Sequence, residues 1–285
     1  MSLMFEHHKL VYNHVLSYLL LGIALTGNAQ TSLPLPPLSP PAGKVESRYL
    51  SVAEVKAKHE WEIERRIIFP KLVRGNPKKK QIALTFDDGP HPEFTLQILS
   101  ILKKEEVKAT FFVIGKMVDR HPELVVQEAA EGHEVANHTY NHIRLPTLTE
   151  HGIARELKEG AKAIERALGH STKLYRPPGG EYDDDVIAVT KRLGLVMTLW
   201  TDDPGDYANP GELNIEKRTL RKVSGGGIIL LHDGVQETID VLPIIIKRLK
   251  SKGYSFVTCS EMALEPGVIT TGGPRVDPPS HSKRR

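Results

Sequence analysis

The sequence is poor in cysteine, in blocks of one charge and in long apolar runs. Cys259 is its only cysteine. A single cysteine excludes an internal disulfide, and no cysteine lies near the N-terminus to carry a lipid anchor. We expect the Cys259 thiol to be buried as a small apolar group in a strand-like segment rather than to be reactive.

The charge is nearly balanced. The chain has 38 Lys and Arg residues against 35 Asp and Glu residues, a formal net charge of +3 over 285 residues. The basic clusters are short: residues 78–80 and the tail residues 283–285. A nucleic-acid partner is therefore not predicted, because such proteins concentrate positive charge on one face or stripe.

The most apolar run, residues 15–26, follows Lys9 and precedes the small residues of Gly27-Asn28-Ala29. This pattern predicts a secretory signal over residues 1–29, with an uncleaved anchor as the alternative. The run is shorter than the ~20 residues that span a bilayer, so no stable membrane insertion is expected. The mature protein is predicted to be secreted or otherwise extracytoplasmic, in a periplasm or at a cell surface.

Composition divides the rest of the chain into four parts. Residues 30–50 are rich in proline and predict an extended linker. Residues 51–80 predict an N-terminal helical extension, and residues 81–266 a folded domain. Residues 267–285 have little apolar surface to bury and predict a disordered tail. The pattern leaves the oligomeric state open.

Within the folded domain, short apolar runs alternate with segments of helical periodicity. The apolar runs, which predict strands, are residues 82–86, 109–114, 134–137, 173–176, 195–200, 227–231 and 254–258. The helical segments are 94–105, 123–131, 150–168, 184–193, 212–223 and 238–252. This alternation predicts an α/β fold of parallel strands, as an open sheet or a closed barrel, with reactive side chains at the C-terminal strand ends.

Polar clusters stand at five of these strand ends. They are Asp87 and Asp88; His138 and His142; Arg176; Asp202, Asp203 and Asp206; and His232 with Asp233. Taken alone, the histidine pair is more typical of hydrogen-bonded surface or core histidines, and the segment DDGP is typical of a turn. Their convergence at one mouth of the fold instead favours a reactive site.

His138, His142 and one carboxylate would provide two nitrogens and one oxygen to a metal ion. Three protein ligands leave positions open for water and substrate, which is typical of a catalytic site. Imidazole and carboxylate ligands suit zinc, cobalt, manganese, nickel or iron. The sequence therefore predicts a divalent metal cofactor, with zinc placed first.

The segments TFDDGP, HTYNH, RPPGG, DPGDY and LLHDG occur in this order. Together they resemble the five motifs of the polysaccharide deacetylase family, the NodB-homology enzymes of carbohydrate esterase family 4. The match extends over residues 81–260, and KATFFVIG at residues 108–115 adds to it. The resemblance implies a distorted (β/α)7 barrel of parallel strands and a metal-dependent hydrolase.

The resemblance also implies roles for individual residues. Asp87 would be the catalytic base, and Asp88 the metal ligand alongside His138 and His142. Arg176 would orient Asp87.

His232 would be the general acid that protonates the leaving amine, with Asp203 as the carboxylate on its other ring nitrogen. Gly179, Tyr207 and Leu231 would form the substrate site: the Gly179 N–H facing the oxyanion, Leu231 lining the acetate methyl pocket. Two of these depart from the family, which commonly has Tyr at the position of Gly179 and often Trp at that of Tyr207.

The implied function is removal of N-acetyl groups from an N-acetylglucosamine polymer such as peptidoglycan or a chitin-like glycan. An acetylated polysaccharide is thus the expected partner. Two alternatives use the same scaffold: an O-acetyl xylan esterase and a catalytically inactive carbohydrate-binding protein.

Overall fold

The structure is a computed structural model that describes residues 49–266 and residue 268. The predicted signal sequence, nearly all of the predicted linker and nearly all of the predicted tail lie outside the described residues. Among the described residues, no helix combines the length and the apolarity that crossing a membrane would require.

Every predicted strand is present, and all pair in parallel, which confirms the predicted fold class. The strands are β1 (Lys71–Leu72), β2 (Gln81–Asp87), β3 (Thr110–Val113), β4 (Glu134–Asn137), β5 (Leu174–Tyr175), β6 (Val196–Thr198), β7 (Gly227–His232) and β8 (Ser255–Phe256). The two-residue strand β1 was not predicted, because it lies in the segment 51–80 that was predicted as a helical extension.

The sheet order is β1-β6-β5-β4-β3-β2-β7, and β8 pairs with the start of β2. A parallel bridge between Asp202 and Ile229 joins the chain after β6 to β7. Because β7 also pairs with β2, this bridge closes strands β2 to β7 into a ring. The C-terminal ends of the strands therefore meet at one mouth, as the motif positions predicted.

Helices cover the outside of the sheet. They are α1 (Val52–Glu64), α2 (Thr95–Lys104), α3 (Gly115–Arg120), α4 (Pro122–Ala130), α5 (Glu150–Leu168), α6 (Asp184–Leu193), α7 (Glu212–Lys222), α8 (Gln236–Ser251) and α9 (Cys259–Ala263). Helix α1 begins at a capping box in which Ser51 and Glu54 exchange side-chain and backbone hydrogen bonds. Among these helices, α3 and α9 were not predicted.

Cys259 is buried, as expected, but it opens helix α9 and does not lie in a strand. Thr258 and Glu261 form a capping box at this point, and their hydrogen bonds satisfy N–H groups that begin a helix. The strand predicted for Cys259 is therefore wrong, and the Thr-x-x-Glu spacing was the signal that could have corrected it.

The alternation of side chains along β2 accounts for the burial of the Asp87 carboxylate. The residues of β2 alternate between two faces. Ile82, Leu84 and Phe86 join the apolar cluster formed with α2 and α8, whereas Ala83 belongs to the other cluster. Asp87 shares the face of Ala83 and is fully buried. A carboxylate in that position must be paired, because an isolated buried charge is costly.

Candidate active site

Asp87 and Asp88 are adjacent but point to different surroundings. Asp87 ends β2 and has no exposed surface, whereas the Asp88 side chain is 32 % exposed. Asp88 has φ 73°, in the left-handed region. This backbone turn at the end of the strand directs the second carboxylate into the mouth.

The Asp87 carboxylate is held by Arg176, which follows β5. Arg176 Nη1 donates to Asp87 Oδ1 at 2.5 Å and to Thr85 Oγ1 at 2.9 Å. Arg176 Nε and Nη2 donate to the carbonyl oxygens of Thr198 and Leu199, both at 3.3 Å. Arg176 and Asp87 are both fully buried. Asp87 Oδ2 has no hydrogen-bond partner among the described residues, so this oxygen remains available to accept a proton.

His138 is fully buried at the end of β4. Its Nδ1 lies 2.9 Å from the carbonyl oxygen of Arg176. A carbonyl oxygen only accepts, so Nδ1 carries the hydrogen and the neutral ring presents a lone pair at Nε2. That Nε2 lies 3.5 Å from Asp88 Oδ1. Arg176 therefore orients both Asp87, through its side chain, and His138, through its backbone.

A loop, and not a helix, brings His142 to the same point. Thr139 and His142 have φ 67° and 58°, and the His142 N–H donates to Thr139 Oγ1 at 3.1 Å. Asn141 donates from its backbone and its side chain to the carboxylate of Glu156, each at 2.8 Å. These contacts fold the loop back, so that His142 Nε2 lies 3.2 Å from Asp88 Oδ1.

Asp88, His138 and His142 fit a metal ion. Their candidate ligand atoms all lie within 4.8 Å of one another. Asp88 Oδ1 and Nε2 of both histidines are buried and have no hydrogen-bond partner among the described residues. Unpartnered buried polar atoms are costly, and a bound cation would satisfy all three.

The electrostatics of the three residues are coupled. Burial alone would raise the pKa of Asp88, but the nearby His138 and the positive charge of both histidines lower it below its ordinary value. Burial would lower the pKa of His138, but Asp87 and Asp88 raise it. The pKa of His142 is lowered by burial and by the neighbouring His138. The negative charges of Asp87 and Asp88 that raise the pKa of His138 would also attract a cation.

Next to Asp87 in the sheet, His232 ends β7 and is 2 % exposed. Its Nδ1 lies 2.8 Å from Asp206 Oδ1, and its backbone N–H donates to Asp206 Oδ2 at 2.8 Å. Thr238 Oγ1 also donates to Asp206 Oδ2, at 2.7 Å. His232 Nε2 is buried and has no hydrogen-bond partner among the described residues.

The prediction that Asp203 partners His232 is wrong. Asp203 Oδ1 accepts from the N–H of Gly205 at 2.7 Å and thereby shapes the loop. Gly205 has φ 72°, and the 3-10 helix Asp206–Ala208 starts directly after it. This turn brings Asp206 back under His232. The sequence indicated that Asp203 and Asp206 both lie near His232, but the loop conformation determines which of them contacts it.

The contact with Asp206 raises the pKa of His232. Burial would lower the pKa of His232, but the charge and hydrogen bond of Asp206, with Asp88 and Asp87, raise it from 6.5 to about 9. A pKa raised by folding means that the imidazolium stabilises the fold. This contribution is complete below pH ~6.5 and is lost as the pH rises through about 9.

We expect Asp206→Asn to lower the pKa of His232 in the metal-free protein, because the substitution removes the nearest negative charge. NMR titration of the His232 ring should show a midpoint near pH 9 in the unmodified protein and a clearly lower one in the variant. Asp203→Asn is the matched control and should move the midpoint less. A larger shift for Asp203→Asn would contradict the assignment of Asp206.

The remaining predicted site residues differ in their placement. Tyr207 is 37 % exposed at the mouth, with its ring centroid 5.3 Å from that of His232. Gly179 lies in the 3-10 helix Pro178–Gly180 with φ 64°. A side chain at Gly179 would therefore be strained, whatever space is available.

The prediction that Leu231 lines the substrate pocket is wrong. Leu231 is fully buried and belongs to the apolar cluster formed with α2 and α8, together with Ile229. Successive strand residues point to opposite faces, so Leu231 cannot face the same side as His232. Leu230, two residues before His232, lies on the His232 face and in the other cluster. Strand alternation in the sequence was sufficient to make this choice.

Tyr49 is a site residue that the sequence did not reveal. It precedes α1, and its hydroxyl donates to Asp88 Oδ2 at 3.4 Å. No motif distinguishes this tyrosine, because it lies far from the strand ends in sequence and reaches them only through the tertiary structure.

Comparison with known proteins identifies the family. The family model described as polysaccharide deacetylase matches residues 74–198. A peptidoglycan-N-acetylglucosamine deacetylase of Bacillus cereus is 41% identical over 189 residues, covering 65% of this chain and 88% of the relative.

Solved structures agree. The Bc1960 peptidoglycan N-acetylglucosamine deacetylase superimposes with a TM-score of 0.66 at 34% identity, covering 67% of this chain and 92% of that protein. A pseudoenzyme of carbohydrate esterase family 4 from Bacillus anthracis superimposes with a TM-score of 0.64 at 31% identity, covering 67% and 68%. With the strand ends and side chains arranged as described, these likenesses confirm the resemblance inferred from the five motifs: the chain belongs to the polysaccharide deacetylase family, whose enzymes hydrolyse amide bonds.

Proposed function

We propose that this protein is an extracytoplasmic, metal-dependent N-deacetylase acting on an N-acetylglucosamine-containing polymer, with zinc as its metal. The observation that carries the proposal is a pair of unpartnered groups beside the metal cluster. Asp87 and His232 are paired in register at the ends of β2 and β7, and Asp87 Oδ2 lies 3.7 Å from Nε2 of His138. Asp87 Oδ2 and His232 Nε2 both lack a hydrogen-bond partner among the described residues, as a base and an acid awaiting substrate would.

Asp88, His138 and His142 would hold the metal, which when bound would polarise the acetyl carbonyl and make water more acidic. Asp87 would accept a proton from the attacking water at Oδ2. Its other oxygen is occupied by Arg176, which fixes the direction of the free one. The separate surroundings of Asp87 and Asp88 thus support a division between base and ligand. The Gly179 N–H is the proposed donor to the developing oxyanion.

His232 would donate a proton from Nε2 to the leaving nitrogen. An amide nitrogen leaves as a strongly basic amine and therefore needs protonation. Burial would lower the pKa of His232, but Asp206 raises it and so favours the protonated ring. Asp206 keeps the proton-bearing Nδ1 directed away from the mouth. A positioned acid is needed more by an amide than by an ester, because the ester has the better leaving group. The arrangement therefore favours amide hydrolysis.

The fold alone does not make the protein an enzyme, because a structural relative is a pseudoenzyme. The proposal rests instead on the presence and geometry of the metal cluster, base and acid. The relatives that are named as acting on peptidoglycan or chitooligosaccharides support the choice of an N-acetylglucosamine polymer.

An acetate-release screen on the purified, zinc-loaded protein tests this function. We expect acetate from peptidoglycan or from chitin oligomers, and little from acetylated xylan. Protein stripped with a chelator is the control and should recover activity with added zinc. Preferential release from acetylated xylan would establish the esterase alternative instead, and no release from any acetylated glycan would indicate a binding protein.

The extracytoplasmic location is supported by the signal-like sequence of residues 1–29 and by relatives named for cell-wall substrates. N-terminal sequencing of exported protein should find a start near Gln30. Export with Met1 retained would indicate an uncleaved anchor.

A further inference from the structure

Tyr49 lies at the mouth beside both the metal cluster and the proposed acid. Its hydroxyl donates to Asp88 Oδ2 at 3.4 Å. Its ring stacks on Tyr207, with centroids 4.5 Å and planes 28° apart, and meets the His232 ring edge-on at 4.9 Å. One side chain therefore contacts a residue of the metal cluster, the proposed acid and an aromatic residue of the rim.

The backbone holds this side chain in place. The Leu50 N–H donates to the carbonyl oxygen of Gly179 at 2.8 Å, which joins the segment to the turn that follows β5. Ser51 then caps α1, and Lys58 of that helix donates to the carbonyl oxygen of Tyr182. Residues 49–50, here called the strap, are thus joined to the turn after β5 through Leu50, and the helix that follows them is joined to the same region through Lys58.

The strap and a substrate amide cannot occupy the mouth together. Hydrolysis requires the acetyl carbonyl beside Asp88 and the leaving nitrogen beside His232 Nε2. Tyr49 spans this distance, since its hydroxyl reaches Asp88 and its ring contacts His232. Non-bonded heavy atoms keep about 3.5 Å apart, so an acetamido group can enter only after the Tyr49 ring leaves.

The contact does not prevent metal binding. Tyr49 is bonded to Asp88 Oδ2, whereas Asp88 Oδ1 faces the two histidines. The oxygen directed at the metal cluster is therefore separate from the one that holds the strap. Removal of the Tyr49 side chain should change ligand binding without changing metal content.

We propose that Tyr49 is an intramolecular competitor for the acetamido subsite, which an acetylated glycan must displace before it reacts. The proposal rests on the proposed function for the identity of that subsite. In the strap-bound state the subsite is closed, so the apparent affinity of every ligand that enters it is reduced by the fraction of open molecules. The strap therefore lowers the affinity for substrate and for a small acetamide analogue by the same factor.

Acetohydroxamate is a suitable probe, because it combines an acetyl group with a metal-chelating oxygen pair. Its binding to the full zinc-loaded chain can be measured by calorimetry. We expect Tyr49→Ala to bind it about tenfold more tightly than the unmodified protein, since a ring stack and a hydrogen bond no longer compete. Tyr49→Phe, which loses only the hydroxyl contact, should show a smaller gain.

Tyr254→Ala is the matched control. Tyr254 is a partly buried tyrosine beside β8, which pairs with the opposite end of β2, and its removal should leave acetohydroxamate affinity unchanged. Zinc content should be equal in all four proteins. Tyr49→Ala binding that equals or falls below that of the unmodified protein would overturn the proposal, and a loss of affinity would make Tyr49 a ligand contact.

Amide hydrogen exchange at Leu50 is a second test of strap displacement. Saturation with acetohydroxamate should accelerate exchange at this amide, because displacement of the strap breaks its bond to Gly179. Unchanged or slower exchange in the complex would contradict displacement. Both measurements report ligand entry without turnover, so they decide this proposal whether or not the protein releases acetate.

Discussion

Asp87→Asn should abolish most turnover while the protein retains its metal. The substitution removes the proposed base but leaves Asp88, His138 and His142 unchanged. General-base help contributes about 10²–10⁴ in rate, so acetate release should fall by at least that order. Elemental analysis and acetate release, measured together across a zinc titration, check this expectation. Added zinc should not restore activity, because an occupied metal site cannot supply a missing base.

Asp88→Asn is the informative comparison. It replaces a negatively charged ligand by a neutral amide, so zinc affinity should fall, and excess zinc should restore part of the activity. Asp240→Asn, at an exposed position of α8, is the control for charge removal alone and should match the unmodified protein. If Asp87→Asn loses its metal or recovers with excess zinc, the roles of the two carboxylates must be exchanged or merged.

Stability must be checked for Asp87→Asn. The variant leaves the buried Arg176 guanidinium without its counter-ion, and loss of one partner of a buried pair costs roughly 3–5 kcal/mol of unfolding free energy. Activity should therefore be measured well below the melting temperature, with circular dichroism to confirm folding. Retained zinc gives independent confirmation, because the ligands come together only in the folded chain.

His232→Ala should reduce N-deacetylation by about 10²–10⁴ but affect hydrolysis of an activated aryl acetate far less. An amine cannot leave without a proton, whereas a phenolate can. Steady-state rates with a chitin oligomer and with 4-nitrophenyl acetate give the two numbers. His151→Ala, at an exposed histidine of α5, is the control and should alter neither. Equal losses in both reactions would show that His232 is not the acid.

Asp206→Asn tests whether the pKa of His232 sets the pH dependence of amide hydrolysis. If Asp206 holds the imidazolium, the variant should lose amide hydrolysis at a lower pH than the unmodified protein, because an imidazolium of lower pKa gives up its proton earlier as the pH rises. The aryl acetate reaction should show little of this change. The kcat/KM profile with pH would measure both effects.

Much of the fold could be predicted because the relevant signals are local. Apolar runs and helical periodicity predicted strands β2 to β8 and the main helices, since each depends on neighbours in sequence. The clustering of Asp88, His138 and His142 also followed, because parallel strands place their C-terminal ends at one mouth. Strand β1 was not predicted, because it lies in the segment that was predicted as a helical extension.

The sequence by itself therefore determined the family, the parallel fold and the residue types at the mouth, because these depend on spacing within single strands and loops. The tertiary structure decided which groups meet. Asp206 and not Asp203 pairs with His232, because a left-handed turn at Gly205 redirects the chain. Tyr49 enters the site from a segment distant in sequence, through the Leu50 bond to Gly179. Such contacts depend on the packing of the whole chain, which no local pattern records.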